Sequence, residues 1–227
     1  MNGNIVDILK KIRFLLFPYL VILCFCFVVK ALYSKEVIYY TVNSWHFAFG
    51  DVIFPLFTDM GDGLFVVALS LIALAYNYRV GFLLASGFAL TSIVAQIMKR
   101  FIQAPRPIHF FKDTSHMYLV KGIPMLNSLS FPSGHTISAF SAAVVLTYIT
   151  PKKQWGLFYL LIAILIGYSR MYLSEHFFED VVGGSAIGLF VTVFWVNWID
   201  QKAFIQSPAW DKGLIATIRS KKRGDKV

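Results

Sequence analysis

The sequence predicts an all-α fold: a polytopic membrane protein of six transmembrane helices, with interfacial helices in its outer loops. Three observations predict it. Hydrophobic residues make up 57% of the 227 positions and aromatic residues 17%, with a mean hydropathy of +0.65, which is too apolar for the surface of a soluble domain. Apolar runs recur along nearly the whole chain, so residues 1–227 are read as a single membrane-embedded domain with a basic tail at about 200–227. The charged residues gather between the runs, where a bilayer would tolerate them.

Lys10, Lys11 and Arg13 precede the first run, 14–29. The chain continues Lys30-Ala31-Leu32-Tyr33 without a small-x-small cleavage pattern, so the run is read as a retained helix and not a removed leader. Residues 34–62 are too polar to span, but carry Tyr39, Tyr40, Trp45, Phe47 and Phe49, types that favour the membrane interface. That segment closes on Thr58-Asp59-Met60-Gly61-Asp62-Gly63, a turn signal. The remaining runs are 63–78, 80–98, 135–149, 155–168 and 181–198. Each is near or slightly below the about 20 residues that a spanning helix needs. Connections at 77–79 and 151–154 are short, whereas 101–132 far exceeds an ordinary connection of about four to six residues, and loops of that length are usually functional. Cys24 and Cys26, two apart in an apolar run, would point to nearly opposite sides of a helix and predict neither a disulfide nor a metal site.

The formal charge of +9 sits at helix ends and in the tail, not in a continuous stripe, so the expected partner is anionic lipid and not nucleic acid. With the N-terminus inside, the inner set holds Lys10, Lys11, Arg13, Arg79, Lys152, Lys153, Lys202, Lys212, Arg219, Lys221, Lys222, Arg223 and Lys226. The positive-inside rule then puts both termini in the cytoplasm and the long loop on the outer face of a cytoplasmic membrane. Trp210, Leu214 and Ile218 recur every four residues ahead of the basic cluster and suit either an amphipathic segment on an anionic leaflet or a solvated tail.

Chemistry concentrates at 169–180, Ser-Arg-Met-Tyr-Leu-Ser-Glu-His-Phe-Phe-Glu-Asp, between two apolar runs. Ionisable groups at membrane depth are a functional signal. His176 and Asp180, four apart, would share one helix face, where a carboxylate can orient an imidazole. Two further clusters fall on the same face: Lys99 with Arg106-Pro107, and Pro132-Ser133-Gly134-His135 at the opening of a helix. Cations, a serine and a helix N-terminus make a cradle for a multiply charged oxyanion, phosphate fitting best. Gly134 would let the backbone come close, and the histidines offer a nucleophile or base and an acid near neutral pH. The cations do the electrostatic work, so no metal or other cofactor is expected.

Lys-x6-Arg-Pro, Pro-Ser-Gly-His and Ser-Arg-x5-His-x3-Asp, in that order, resemble the three signature motifs of the type 2 phosphatidic acid phosphatase superfamily. The resemblance covers 99–180. It implies a metal-independent hydrolase in which His176 attacks phosphorus and is transiently phosphorylated, Asp180 orients it, and His135 protonates the leaving oxygen and then activates water. Lys99, Arg106, Ser133, Gly134 and Arg170 would hold the phosphoryl oxygens. The implied substrate is a phosphorylated membrane lipid: undecaprenyl pyrophosphate, phosphatidylglycerol phosphate, phosphatidic acid or a lipid A phosphate. A lipid phosphotransferase using the same phosphohistidine, or a lipid or anion transporter, are the alternatives, and oligomeric state is left open. His46, His109 and His116 read as interfacial or exposed, Asp59 and Asp62 as turn-forming, Lys112 and Lys121 as solvated, and Glu175 and Glu179 as structural.

Overall fold

Local sequence signals start four of the helices of this computed structural model, which describes residues 5–124 and 129–223. Residues 1–4, 125–128 and 224–227, the expected inner cation Lys226 among them, lie outside the described residues. The order is α1 (Ile5–Lys11), α2 (Arg13–Leu32), α3 (Lys35–Asn43), α4 (Ala48–Gly61), α5 (Gly63–Tyr76), α6 (Tyr78–Ile102), α7 (Pro107–Phe110), α8 (Gly134–Ile149), α9 (Trp155–Tyr172), α10 (Phe178–Asp200), α11 (Ala203–Gln206), a 3₁₀ turn (Pro208–Asp211) and α12 (Leu214–Arg223). Ser34, Asp62, Asn77 and Ser133 cap α3, α5, α6 and α8 by accepting from backbone N–H groups, which satisfies donors a helix start leaves open.

Four helical stretches are long and apolar enough to cross a membrane: Arg13–Leu32, Tyr78–Phe110, Trp155–Tyr172 and Phe178–Asp200. The run expected as a lone helix at 63–78 is the second half of a pair. Helices α4 and α5 are 14 residues each, meet at 58° and satisfy the spanning criteria only together. Residues 48–61, part of the segment expected to be interfacial, thus form an apolar helix that pairs with α5 across the bend. The expected six spans are reached only by counting this bent pair and α8, which has 16 residues.

Helix α8 packs against α6, α9 and α10 and buries Thr136–Ser141 and most of its length beyond. Its shortness and lack of a polar face follow from that central place, since a helix apolar all round is a buried one. Leu15, Leu83, Val144, Leu160, Leu189 and Val196 fill the interior. Phe17, Phe25, Phe27, Leu71, Phe101 and Phe194 face outward, and such an apolar perimeter suits lipid and not water. The chain is a multi-pass membrane protein. Of the Trp210, Leu214 and Ile218 recurrence, Leu214 and Ile218 lie on α12 and are exposed, while Trp210 lies in the 3₁₀ turn and stacks edge-on against Phe82 and Phe204. The break at 212–213 turns α12 away from the 3₁₀ turn, where the Lys212 carbonyl accepts from Tyr78 N at 2.8 Å.

Candidate active site

The turn between α9 and α10 makes the site. Ser174 takes the left-handed conformation (φ 58°), the usual way to end a helix, though glycine is the usual residue. It is held there by hydrogen bonds from Tyr39 Oη and Asn43 Nδ2, both at 3.0 Å. Asn43 also clamps the long loop, donating to the Tyr118 carbonyl and accepting from Tyr118 N, both at 2.9 Å. The reversal brings Glu175 N and His176 N back onto the Arg170 carbonyl at 3.0 and 3.1 Å. His176 thus precedes α10 instead of lying on it. The expectation that His176 and Asp180 share a helix face is corrected: Phe177 is the N-cap and Asp180 sits in the first turn. The two still meet, His176 Nδ1 lying 3.4 Å from Asp180 Oδ2.

Ser130, which the sequence reading missed, completes this contact. Its hydroxyl donates to Asp180 Oδ2 at 2.5 Å and lies 3.3 Å from His176 Nδ1; Phe177 N donates to the same carboxylate oxygen at 2.8 Å. A hydroxyl that donates to the carboxylate is left to accept, so Nδ1 carries the proton and Nε2 the lone pair. The signal was adjacent: Ser130 lies three residues before Ser133 in the stretch Ser-Phe-Pro-Ser-Gly-His. His176 is 1% exposed. Burial first, then the charges of Arg106 and Arg170, hold its ring well below the usual histidine range, so it is neutral at pH 7.

The cations arrive from three elements. Pro107 starts α7 and restricts the residue before it to extended backbone, and Arg106 has φ −74° and ψ 162°. Its buried guanidinium reaches the Glu175 carbonyl at 2.9 Å and its carboxylate at 2.5 Å. Arg170, at the end of α9, donates to Thr58 Oγ1 at 3.1 Å and stands 3.7 Å from Glu175 Oε2. Glu175 therefore sits between two buried arginines, while Glu179 pairs with Lys35 at 2.8 Å. Lys99, in the last turn of α6, donates to the Leu129 carbonyl at 2.5 Å.

The remaining motif opens α8. Ser133 is fully buried and turned into its own helix, accepting from Thr136 Oγ1 at 2.9 Å, with its backbone N on the Asp180 carbonyl at 3.0 Å. A Cβ on Gly134 would meet nothing within 4 Å, so the helix start is open to an approaching group. Lys99, Gly134 and His135 line one cavity of about 180 Å³ with Gly61, Ser92 and Ser138. Arg106, Arg170, Lys99 and His135 all act electrostatically on His176. The structure thus brings all eight sequence-predicted residues together. Asp62 also belongs here, 3.9 Å from His135 Nε2. His46 is wedged between the Tyr118 and Tyr172 rings, His109, His116, Lys112 and Lys121 are exposed, and none of these lines the cavity. Among the described residues no three His, Cys, Asp or Glu side chains are grouped to hold a metal ion.

The family model of the PAP2 superfamily matches residues 80–204, from the start of α6 to α11. The chain belongs to the PAP2 superfamily. Within the superfamily it is 30% identical over 169 residues to phosphatidylglycerophosphatase B of Bacillus subtilis, covering 69% of this chain and 72% of that one. It is also 30% identical over 114 residues to an undecaprenyl-diphosphatase of Sulfolobus acidocaldarius, covering 50% of this chain and 52% of the relative, about half its length. The crystal structure of Aquifex aeolicus LpxE superposes with a TM-score of 0.63 at 28% identity, over 70% of this chain and 92% of that one.

Proposed function

We propose that this PAP2 protein is a metal-independent lipid phosphate phosphatase working through a phosphohistidine at His176. The observation that supports this reading most directly is the chain from His176 Nδ1 through Ser130 to Asp180, set among Lys99, Arg106 and Arg170. It leaves the lone pair on Nε2 of a neutral ring, with the charges of those cations acting on it, which is what attack on an anionic phosphoryl group needs.

In the first step Nε2 of His176 forms a bond to phosphorus as the bond to the leaving oxygen breaks. The proton on His135 passes to that oxygen, and Asp180 with Ser130 steadies the positive ring. Lys99, Arg106, Arg170 and the N–H of Gly134 at the open start of α8 hold the three phosphoryl oxygens, where charge is spread, while Ser133, whose N–H is held by the Asp180 carbonyl, shapes that helix start. In the second step His135 takes a proton from water, the water oxygen bonds to phosphorus, and the P–N bond breaks, releasing inorganic phosphate and restoring neutral His176.

The substrate is a membrane lipid with a terminal phosphate, such as a polyprenyl pyrophosphate, phosphatidylglycerol phosphate, phosphatidic acid or a lipid A phosphate. Support comes from the two relatives described above, which are phosphatases by name, and from a cavity that lies among apolar helices. The distribution of Lys and Arg favours cytoplasmic termini and a site on the outer face of a cytoplasmic membrane.

The purified protein in detergent with EDTA should release inorganic phosphate from at least one lipid of such a panel. Acid-labile, base-stable phosphate should be trapped on the wild type and be absent from His176→Ala. His135→Ala should lose more on a lipid monoester than on p-nitrophenyl phosphate, since acid help is worth about 10²–10⁴-fold and a nitrophenolate needs little. No phosphate release from any lipid, restoration only by Mg²⁺, or trapping that persists in His176→Ala would overturn the reading.

A further inference from the structure

The bend between α4 and α5 carries a carboxylate to the acid–base side of the site. Asp62 Oδ2 stands 3.9 Å from His135 Nε2, while Oδ1 accepts from Leu64 N at 2.7 Å and caps α5. The placement is fixed by backbone packing. A Cβ on the preceding Gly61 would lie 3.1 Å from His135 Cβ, 3.2 Å from its carbonyl oxygen and 2.5 Å from Ile166 Cγ2, so only glycine lets the end of α4 seat against the start of α8.

The groups that face His135 come from every element packed on it: Lys99 from α6, Arg106 from the loop after it, Arg170 from α9 and Asp62 from the bend, with His176 across the site. Burial first, and then three cations, oppose a proton on His135, yet an acid for the leaving group must carry one. Among the described carboxylates, Asp180 is engaged by Ser130 and Phe177 N and Glu175 by the two arginines; Asp62 is the one at ion-pair distance from His135. At 3.9 Å the pair attracts without a direct hydrogen bond, which leaves Nε2 able to face a substrate oxygen.

We propose that Asp62 is a positioning residue for His135, a fixed counter-charge that keeps its ring oriented and protonated for departure of the lipid oxygen. The inference rests on the acid–base role given to His135 above. The Asp62 side chain is 49% exposed, so solvent screens the attraction and the effect is moderate.

Asp62→Asn tests it cleanly, because Asn caps a helix as well as Asp and only the charge is lost. Rates on the lipid phosphate of the panel above which the wild type hydrolyses fastest, and on p-nitrophenyl phosphate, are compared between about pH 5 and 9 for wild type, Asp62→Asn, Asp62→Glu, His135→Ala and Asp62→Asn with His135→Ala. On the lipid, Asp62→Asn should lower kcat about 10-fold with KM within about twofold, and move the alkaline limb about one unit to lower pH. The nitrophenyl ester should change less than about twofold, Asp62→Glu should recover most of the loss, and the substitution should add nothing in the His135→Ala background. A pH profile that superposes on wild type, or an equal loss on both esters that persists without His135, would overturn the role of Asp62 while wild-type turnover leaves the phosphatase reading standing. A wild type that releases phosphate from no lipid of the panel would sink both.

Discussion

At the scale of single residues, the least conspicuous member of the site is Ser130, buried and without charge. It separates two tasks that one carboxylate would otherwise share: Asp180 holds the hydroxyl and Phe177 N, and the hydroxyl faces the ring. Ser130→Ala should leave the His176–Asp180 contact at its present 3.4 Å without the hydroxyl between them. Losing one buried hydrogen bond costs about 1–3 kcal/mol, so kcat should fall about 10- to 100-fold with little change in KM. A steady-state comparison on one lipid phosphate checks this; unchanged kcat would remove Ser130 from the site. The depressed proton affinity of His176 has a further sign. Its neutral, reactive form persists below the ordinary histidine range near pH 6.5, so an acid limb of the rate profile that reports this ring should fall below that pH.

At the scale of elements, the site depends on how closely α10 approaches α8. Gly184 and Gly188, one turn apart, face the start of α8: a Cβ at 188 would come within 2.5 Å of the Ile137 carbonyl and one at 184 within 2.9 Å of the Ser133 carbonyl. Small residues at this spacing allow backbones of membrane helices to touch. That contact puts Asp180, in the first turn of α10, beside Ser133 at the start of α8. Gly188→Val should force the helices apart, costing about 1–3 kcal/mol as overpacking does, and should lower activity because Asp180 moves with α10. Thermal unfolding in detergent alongside turnover checks both; a variant with unchanged melting temperature and full activity would show that the approach is not needed.

For the whole molecule, the same arrangement predicts a topology. The motif residues gather at one end of the bundle, with the long loop and the α4–α5 bend, while at the other end Lys11 and Lys153 donate to the Tyr148 hydroxyl and carbonyl and that hydroxyl donates to Asp200. The basic residues outside the motifs favour that second end, so the first should face outward. Asp113→Cys, in the exposed long loop, should be labelled by an impermeant maleimide in intact cells, and a reporter after Val227 should report the cytoplasm. Labelling of Asp113→Cys only after permeabilisation would invert the orientation.

The helical membrane class and the residues that gather in the candidate site were legible in the sequence, because both are written locally. Apolar runs report burial or lipid whatever their partners, and Lys99, Arg106, His135, Arg170, His176 and Asp180 announce themselves as charge where charge is costly. The geometry that joins them was not. Ser130 and Asp62 look like loop and turn residues until the turn at Ser174 and the seat of Gly61 on α8 bring histidines against them. The α4–α5 pair likewise reads as an interfacial segment followed by a short helix, since neither half is long enough alone. Tertiary structure decided these points because a hydrogen bond between Ser130 and Asp180, or a contact between Asp62 and His135, depends on distances across 50 and more residues of chain. Periodicity and spacing report neighbours along a helix or strand, and carry no information about which helix ends will meet.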